Sequence, residues 1–178
     1  MLTPLPQRLS GTNDDRETIR TIVFALADIE ATPMRDYLFA LPVEAVIRSI
    51  PYPAHKPSLR DGIGMINIGE QTITIVDLRQ KFGEIDPQTD GSKFLILFNT
   101  HAGELCGLPV RDAPSLLDLP LTTIRPLPIA YRQVNQLSFA SHMAIVSKGE
   151  DLAPLQILLL GMERMLGQSF DGNNSHLN

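Results

Sequence analysis

Two short apolar runs rich in β-branched residues stand on either side of a polar tetrad. The runs are Met65–Ile68 and Ile73–Val76, and the tetrad is Gly69-Glu70-Gln71-Thr72. Isoleucine, valine and threonine are stiff at χ1 and suit a pleated strand, and Gly69 can supply a positive φ in a turn. This stretch predicts a β-hairpin, followed by one helical turn over Leu78–Phe82. A hairpin cannot bury its apolar face alone, so the rest of the chain has to supply further strands.

Composition excludes several classes of function. The chain has 178 residues, a formal net charge of −5 and 6% aromatic residues. An acidic balance argues against binding duplex nucleic acid, and the few aromatic rings argue against base stacking. A single cysteine, Cys106, excludes an internal disulfide and a multi-cysteine metal site. No apolar segment approaches the ~20 residues that span a bilayer, and no signal-peptide core is present. We therefore expect a cytoplasmic protein with no nucleic-acid partner and no direct membrane insertion.

Short strands separated by turn signals dominate the remainder of the chain. The predicted strands are Thr18–Asp28, Asp36–Leu41, Val43–Ile50, Phe94–Phe98, Leu105–Val110, Ser115–Leu119, Leu137–Ser147 and Leu155–Leu160. Residues 51–57 and 122–128 are proline-containing and predict irregular structure. Residues 161–166 predict a short C-terminal helix. This pattern is typical of small barrels or a sandwich.

The segment Glu84–Ser92 is the strongest candidate for an internal boundary, because it is polar and contains Pro87 and the Asp90-Gly91 turn signal. We expect a first barrel over about 18–83 and a second over about 93–160 plus the terminal helix, and the sequence leaves open whether the C-terminal strand and helix cross over to pack on the first barrel. Residues 1–17 predict a flexible arm and residues 168–178 a flexible tail. The predicted core is Phe24, Leu38, Ile66, Ile75, Phe94, Leu97, Leu108, Ile145, Leu158 and Leu160.

The residues that most often carry catalysis are sparse and scattered. His55, His101, His142 and His176 show no metal-ligand spacing. Cys106 lies inside an apolar strand with no base suggested beside it. Gly62-Ile63-Gly64 lacks the third glycine of a dinucleotide loop and precedes a strand. The sequence therefore predicts a binding module with no enzymatic activity, no cofactor and no metal.

Five segments, taken in order, resemble the CheW-like chemotaxis adaptor family. They are Phe24-Ala25-Leu26 with Phe39–Val46, Gly64–Ile68, Val76–Gly83, Ile124–Pro128 and Leu158–Leu166. Val76–Gly83, VDLRQKFG, matches the family pattern V-D-L-R-x-x-F-G completely. The resemblance spans about residues 19–166. A single motif of this kind is not specific to the family, but five motifs in the right order are.

This resemblance implies a fold and a function. The fold is all-β, with two small SH3-like five-stranded β-barrels packed together around a shared core and a short C-terminal helix, in a domain over 18–167. The function is that of a non-enzymatic adaptor coupling a chemoreceptor-type, phototaxis or pilus receptor to a histidine kinase in bacterial two-component signal transduction. The implied partners are the coiled-coil tip of the receptor, held as a helix in a groove between the barrels, and the regulatory domain of the kinase, which has the same fold.

The resemblance also implies a partner-binding surface. The predicted contact residues are Val46, Arg48, Ile50, Met65, Asn67, Ile68, Gly69, Glu70, Asp77 and Arg79. For Asn67, a turn cap is an equal alternative, and for Asp77 and Arg79 we favour a local structural pairing over a partner contact.

Two of these positions depart from the family pattern. The family usually has an acidic residue in the strand after P-V-E-x-V and an arginine in N-L-R-G, near each other at the groove. This chain has Arg48 at the first position, and Gly69 followed by Glu70 at the second. Our hypothesis is that this approximate exchange of charge retunes the groove for a non-standard receptor or kinase. The alternative is that both charges are simply solvated.

Two other functions remain open from the residues alone. The first is a β-barrel that binds a small molecule or a peptide outside chemotaxis signalling. The second, with less support, is a β-barrel hydrolase.

Overall fold

The computed structural model describes residues 17–26, 37–82, 91–100, 102–134, 137–149 and 152–161. Within these ranges the chain forms β1 (Thr18–Phe24), β2 (Tyr37–Pro42), β3 (Val46–Pro51), β4 (Ile63–Ile68), β5 (Gln71–Val76), β6 (Phe94–Asn99), β7 (Leu105–Val110), β8 (Ser115–Pro120), β9 (Ile124–Pro126), α1 (Ile129–Val134), β10 (Ala140–Val146) and β11 (Leu155–Leu160). Three-residue 3-10 turns follow β2 and β8, and a longer one, Leu78–Phe82, follows β5. The arm before residue 17, the terminal helix and the tail predicted from the sequence lie outside the described residues.

The strands form two sheets. One has the order β8-β1-β2-β11-β10-β9, and the other has the order β3-β6-β7-β5-β4. Each sheet surrounds its own apolar core, since Val23, Ala144 and Ile157 pack inside the first and Ile66, Ile75 and Leu97 inside the second. We call them the six-stranded barrel and the five-stranded barrel.

A third and larger core joins the two barrels. Because side chains alternate along a strand, the residues between the inward-facing ones point out of each barrel. Phe39 and Leu158 of the six-stranded barrel meet Phe98 and Leu108 of the five-stranded barrel in one buried cluster. The two barrels therefore pack through their outer faces around a shared core.

The predicted division of the chain at residues 84–92 does not match this strand pairing. β6 and β7 follow that segment, yet they pair with β3 and β5 of the preceding part of the chain. The six-stranded barrel joins both ends of the chain, because β11 runs parallel to β2. Consecutive strands are usually neighbours, and the predicted boundary assumed that they were. The alternative, in which the C-terminal strand packs on the first part of the chain, is correct for β11. Polar turn residues mark a loop without saying which strands pair across it.

The two barrels repeat one arrangement of strands. The order β3-β6-β7-β5-β4 corresponds to β8-β1-β2-β11-β10, with antiparallel, antiparallel, parallel and antiparallel pairs in both. The tripeptide Leu-Pro-Val occurs at the end of both matching strands, as Leu41-Pro42-Val43 and as Leu108-Pro109-Val110. When the two tripeptides are aligned and the strand registers are followed from them, Met65 of β4 corresponds to Met143 of β10. β9 is an additional strand, which pairs with β10 in the six-stranded barrel.

Several local expectations need correction. Val43–Ala45 is a 3-10 turn instead of strand, and the segment predicted to be irregular contains β9, with α1 directly after it. Of the ten predicted core residues, seven are buried, whereas Leu38 and Phe94 are half-buried. Ile145 is wrong as a core residue, because it is 54% exposed. It lies on the same face as the core-packed Met143, but near the end of β10, where the shared core no longer covers the sheet.

Candidate functional site

The β4–β5 hairpin contains half of the predicted partner-binding residues. Its turn is Gly69-Glu70, and Gly69 has a φ of 62°, as the first central residue of a type II′ turn requires. Met65 is 70% exposed, and Asn67 and Glu70 are also exposed. The Thr72 hydroxyl donates a 2.9 Å hydrogen bond to Asn67 Oδ1, so Asn67 pairs across the hairpin. We call Met65, Asn67, Gly69 and Glu70 the hairpin surface.

The apolar residues that flank this surface point into the cores. Ile50 of β3 and Ile68 of β4 are half-buried and pack against the same core inside the five-stranded barrel. β3 and β4 are the two edge strands of this sheet, so both edges contribute side chains to one core. Val46 points the other way and packs against the shared core. These three residues therefore offer only part of their side chains to a partner.

Arg48 lies on β3, one of these two edge strands, and Glu70 lies in the turn directly after β4, the other. Arg48 is exposed and pairs with Leu97 just after a bulge in β3. Glu70 is exposed in the hairpin turn. Within the described ranges, neither side chain has an ion-pair partner. Both charges are thus available to a binding partner.

Asp77 and Arg79 form a buried corner. Their side chains are 4% and 3% exposed. The Arg79 backbone N–H and Nε donate to Asp77 Oδ1 at 3.0 and 2.8 Å, and a second guanidinium nitrogen donates to Oδ2. The backbone N–H of Asp77 donates in turn to the Gly62 carbonyl at 2.7 Å. The pair holds the end of β5 and the following 3-10 turn, and it presents no surface to a partner.

Other exposed apolar side chains belong to elements outside the β4–β5 hairpin. They include Ile47 on β3, Leu116 on β8, Ile129 and Val134 on α1, Ile145 on β10 and Leu152 between β10 and β11. Sequence reasoning missed these residues as surface candidates, because apolar alternation indicates which side of a strand is apolar without showing whether another element covers it.

The described residues contain little that is suited to catalysis. No group of three or more histidine, cysteine or acidic residues among them could hold a metal ion. Burial, together with the nearby carboxylate of Glu104, raises the pKa of the Cys106 thiol to about 11, so the thiol is protonated at neutral pH. In the described parts of the chain, no helix has the length and apolar character that crossing a membrane requires.

Comparison with known proteins agrees with this geometry. A family model, the CheW-like domain, matches residues 22–169. The chain belongs to the CheW-like domain family. A solved structure, the scaffolding protein TtCheW from Thermoanaerobacter tengcongensis, is 20% identical in sequence with a TM-score of 0.64, and the match covers 91% of this chain and 95% of that one. No curated protein sequence matches the chain.

Two predictions from the sequence are thereby confirmed. The resemblance to the CheW-like family is correct, and the fold is the expected pair of packed SH3-like β-barrels. The strands that form each barrel differ from the expected division of the chain, as described above.

Proposed function

We propose that this CheW-like protein is a non-enzymatic adaptor that couples a chemoreceptor-type receptor to a histidine kinase. The observation that carries the proposal is the family match over residues 22–169. The structural likeness to a protein described as a scaffolding protein supports it. A cytoplasmic location follows from this role.

The hairpin surface supports the proposal physically. Met65 is a large apolar side chain exposed beside polar Asn67 and charged Glu70. Exposed apolar groups with a polar rim are typical of protein–protein contacts. Half-buried Val46, Ile50 and Ile68 contribute their exposed parts, and Arg48 adds a charge on β3, the other edge strand of the barrel.

The proposed partners are the regulatory domain of a histidine kinase and the helical hairpin tip of a chemoreceptor. The experiment is a titration of the purified protein with each of them, followed by calorimetry. Met65→Glu should weaken binding of at least one partner at least about tenfold, because it places a charge in an apolar contact. Leu152→Glu is the matched control, since Leu152 is similarly exposed but lies in the other barrel.

Failure of both partners to bind the wild-type protein would overturn the proposal. Co-purification of a bound metabolite, with neither partner recovered from native lysate, would favour a small-molecule-binding module. Turnover of generic ester or phosphate substrates would favour a hydrolase.

A further inference from the structure

The outer edge of β4 has an open set of backbone hydrogen-bonding groups. The two-residue turn closes with the pair Ile68 and Gln71, which is the hydrogen-bonded type in such hairpins. Pairs then alternate, so Asn67 and Met65 point their backbone N–H and C=O groups away from β5. Among the described residues, no backbone group bonds to these outward-facing groups.

The same edge is already paired one step earlier. Ile63 belongs to the same outward-facing series, and its N–H and C=O bond to Arg60 at 2.9 and 2.8 Å. The chain reaches this position through a tight turn in which Asp61 and Gly62 both have positive φ, 52° and 81°. The chain's own backbone thus pairs with this edge of β4 at Ile63, and this pairing stops before Met65.

The corresponding strand of the six-stranded barrel, β10, shows which kind of segment pairs with such an edge. Met143 of β10 corresponds to Met65, and it is paired with Arg125 of β9 in an antiparallel register. β9 is a segment of three residues, Ile-Arg-Pro. In the five-stranded barrel, β4 is the terminal strand of the sheet.

β4 also lacks the features that protect the other sheet edges. Proteins discourage unwanted strand pairing with charges, prolines and bulges at edges. β3 has Arg48, Pro51 and a bulge, β8 has Asp118 and Pro120, and β9 has Arg125 and Pro126. The sequence of β4 is Ile-Gly-Met-Ile-Asn-Ile, with neither charge nor proline.

We propose that the edge of β4 binds an extended segment of the kinase partner by strand addition, antiparallel to β4 and opposite Met65 and Asn67. Charge complementarity specifies a basic residue in that segment, because Glu70 is exposed just beyond the end of β4 and has no described ion-pair partner. A helical receptor tip does not fit this edge, since the backbone groups of a helix are used inside the helix. The inference rests on the proposed function, and it assigns this edge to the kinase regulatory domain.

Amide hydrogen exchange measured by NMR tests the proposal at single residues. In the free protein, we expect fast exchange at Met65 and Asn67 and slow exchange at Ile66 and Ile68. The kinase regulatory domain should slow exchange at Met65 and Asn67 at least about tenfold, and the receptor tip should leave both unchanged. A synthetic peptide copying residues 121–127, which include β9, is the partner-independent probe and should shift the same two amide signals at millimolar concentration.

Substitutions separate the backbone from the side chain. Met65→Pro removes an outward N–H at an edge position that tolerates proline, and it should bind the kinase at least about tenfold more weakly than Met65→Thr does. Met65→Thr is the reference because it keeps the N–H and loses the apolar side chain without adding a charge, so it should bind more tightly than Met65→Glu. If Met65→Pro does not fold, Asn67→Pro replaces it.

The outcomes are distinguishable. If the kinase domain binds but exchange at Met65 and Asn67 is unchanged, or if the folded proline variant binds like Met65→Thr, strand addition is wrong while the adaptor role stands. If the kinase domain does not bind the wild-type protein, the proposed function fails, and the peptide alone decides whether the edge accepts a strand. Absence of any peptide-induced shift at Met65 and Asn67 in that case overturns the proposal.

Discussion

The guanidinium group of Arg79 donates hydrogen bonds to both carboxylate oxygens of Asp77, and water reaches neither side chain appreciably. Removing one partner leaves a buried charge without compensation. Asp77→Ala should therefore lower the free energy of unfolding by about 3–5 kcal/mol, as measured by urea denaturation. Breaking the exposed pair between Arg20 and Asp118 with Asp118→Ala is the matched control, and its effect should be much smaller. Equal losses in the two variants would contradict a structural role for the buried pair.

Gly62 and Gly69 both have positive φ but differ in their surroundings. A Cβ at Gly62 would lie 2.7 Å from the carbonyl oxygen of Asp77, whereas a Cβ at Gly69 would meet nothing within 4 Å. The left-handed conformation alone costs about 1–2 kcal/mol for a residue other than glycine. Gly69→Ala should show that cost, and Gly62→Ala should show a larger one because of the clash. Urea midpoints of the two variants provide the measurement, and a Gly62 variant as stable as the Gly69 variant would contradict the close approach.

The sequence predicts the local features of this fold well. The hairpin, its turn at Gly69 and the 3-10 turn after β5 follow from short-range patterns. Pairing between distant strands carries no comparable local signal, which is why β1 and β2, as well as β6 and β7, were grouped with the wrong strands. The repeated Leu-Pro-Val at residues 41–43 and 108–110 is a signal of the two-fold repeat that the sequence analysis missed.

The positions of the candidate site came from the resemblance to the family, and the structure shows how exposed each of them is. Met65 and Asn67 are exposed. The resemblance also placed Asp77 and Arg79 among the possible contacts, and the local pairing that we favoured for them is confirmed, since they bond to each other, Asp77 bonds to the neighbouring backbone at Gly62, and both are buried. Whether a residue is exposed depends on which distant parts of the chain pack over it, and the sequence pattern of one strand does not show that packing.

Leu158 and Ile145 test the boundary of the shared core. Leu158 is fully buried in the cluster between the barrels, and Ile145 is half exposed on the neighbouring strand. Leu158→Ala should cost about 2–5 kcal/mol, because it removes contacts and leaves a cavity. Ile145→Ala should change stability by less than about 1 kcal/mol. An unchanged urea midpoint for the Leu158 variant would mean that β11 is not a core strand.

Cys106 should give the protein a specific response to alkaline pH. Burial raises the pKa of its thiol from 9.0 to about 11, so the folded state holds the proton more tightly than the unfolded state. The resulting stabilisation is fully present below pH 9 and is lost as the pH rises toward 11. Cys106→Ala should therefore flatten the fall in unfolding free energy between pH 9 and pH 11, measured by urea denaturation at several pH values. A slope that matches the wild-type slope would show that the thiol does not titrate differently in the folded state.

Arg48 and Glu70 test whether charge at the two edges of the five-stranded barrel selects the partner. Both side chains are exposed, and neither has a described ion-pair partner, so an exchange of the two charges should leave the melting temperature within about 2 °C. Charges of this kind act mainly on partner choice, because a like-charge contact rejects the wrong partner.

The double variant Arg48→Glu with Glu70→Arg should bind the native kinase or receptor at least about tenfold more weakly, with the larger loss at low salt, where screening is weakest. Calorimetric titration at two salt concentrations measures both effects. The single variants show which edge contributes more, and Lys148→Glu is the control for an exposed charge on the other barrel. If these charges tune the groove, exchanging them has to change the affinity for the native partner. An affinity that is unchanged in the double variant at both salt concentrations would mean that the two charges are only solvated.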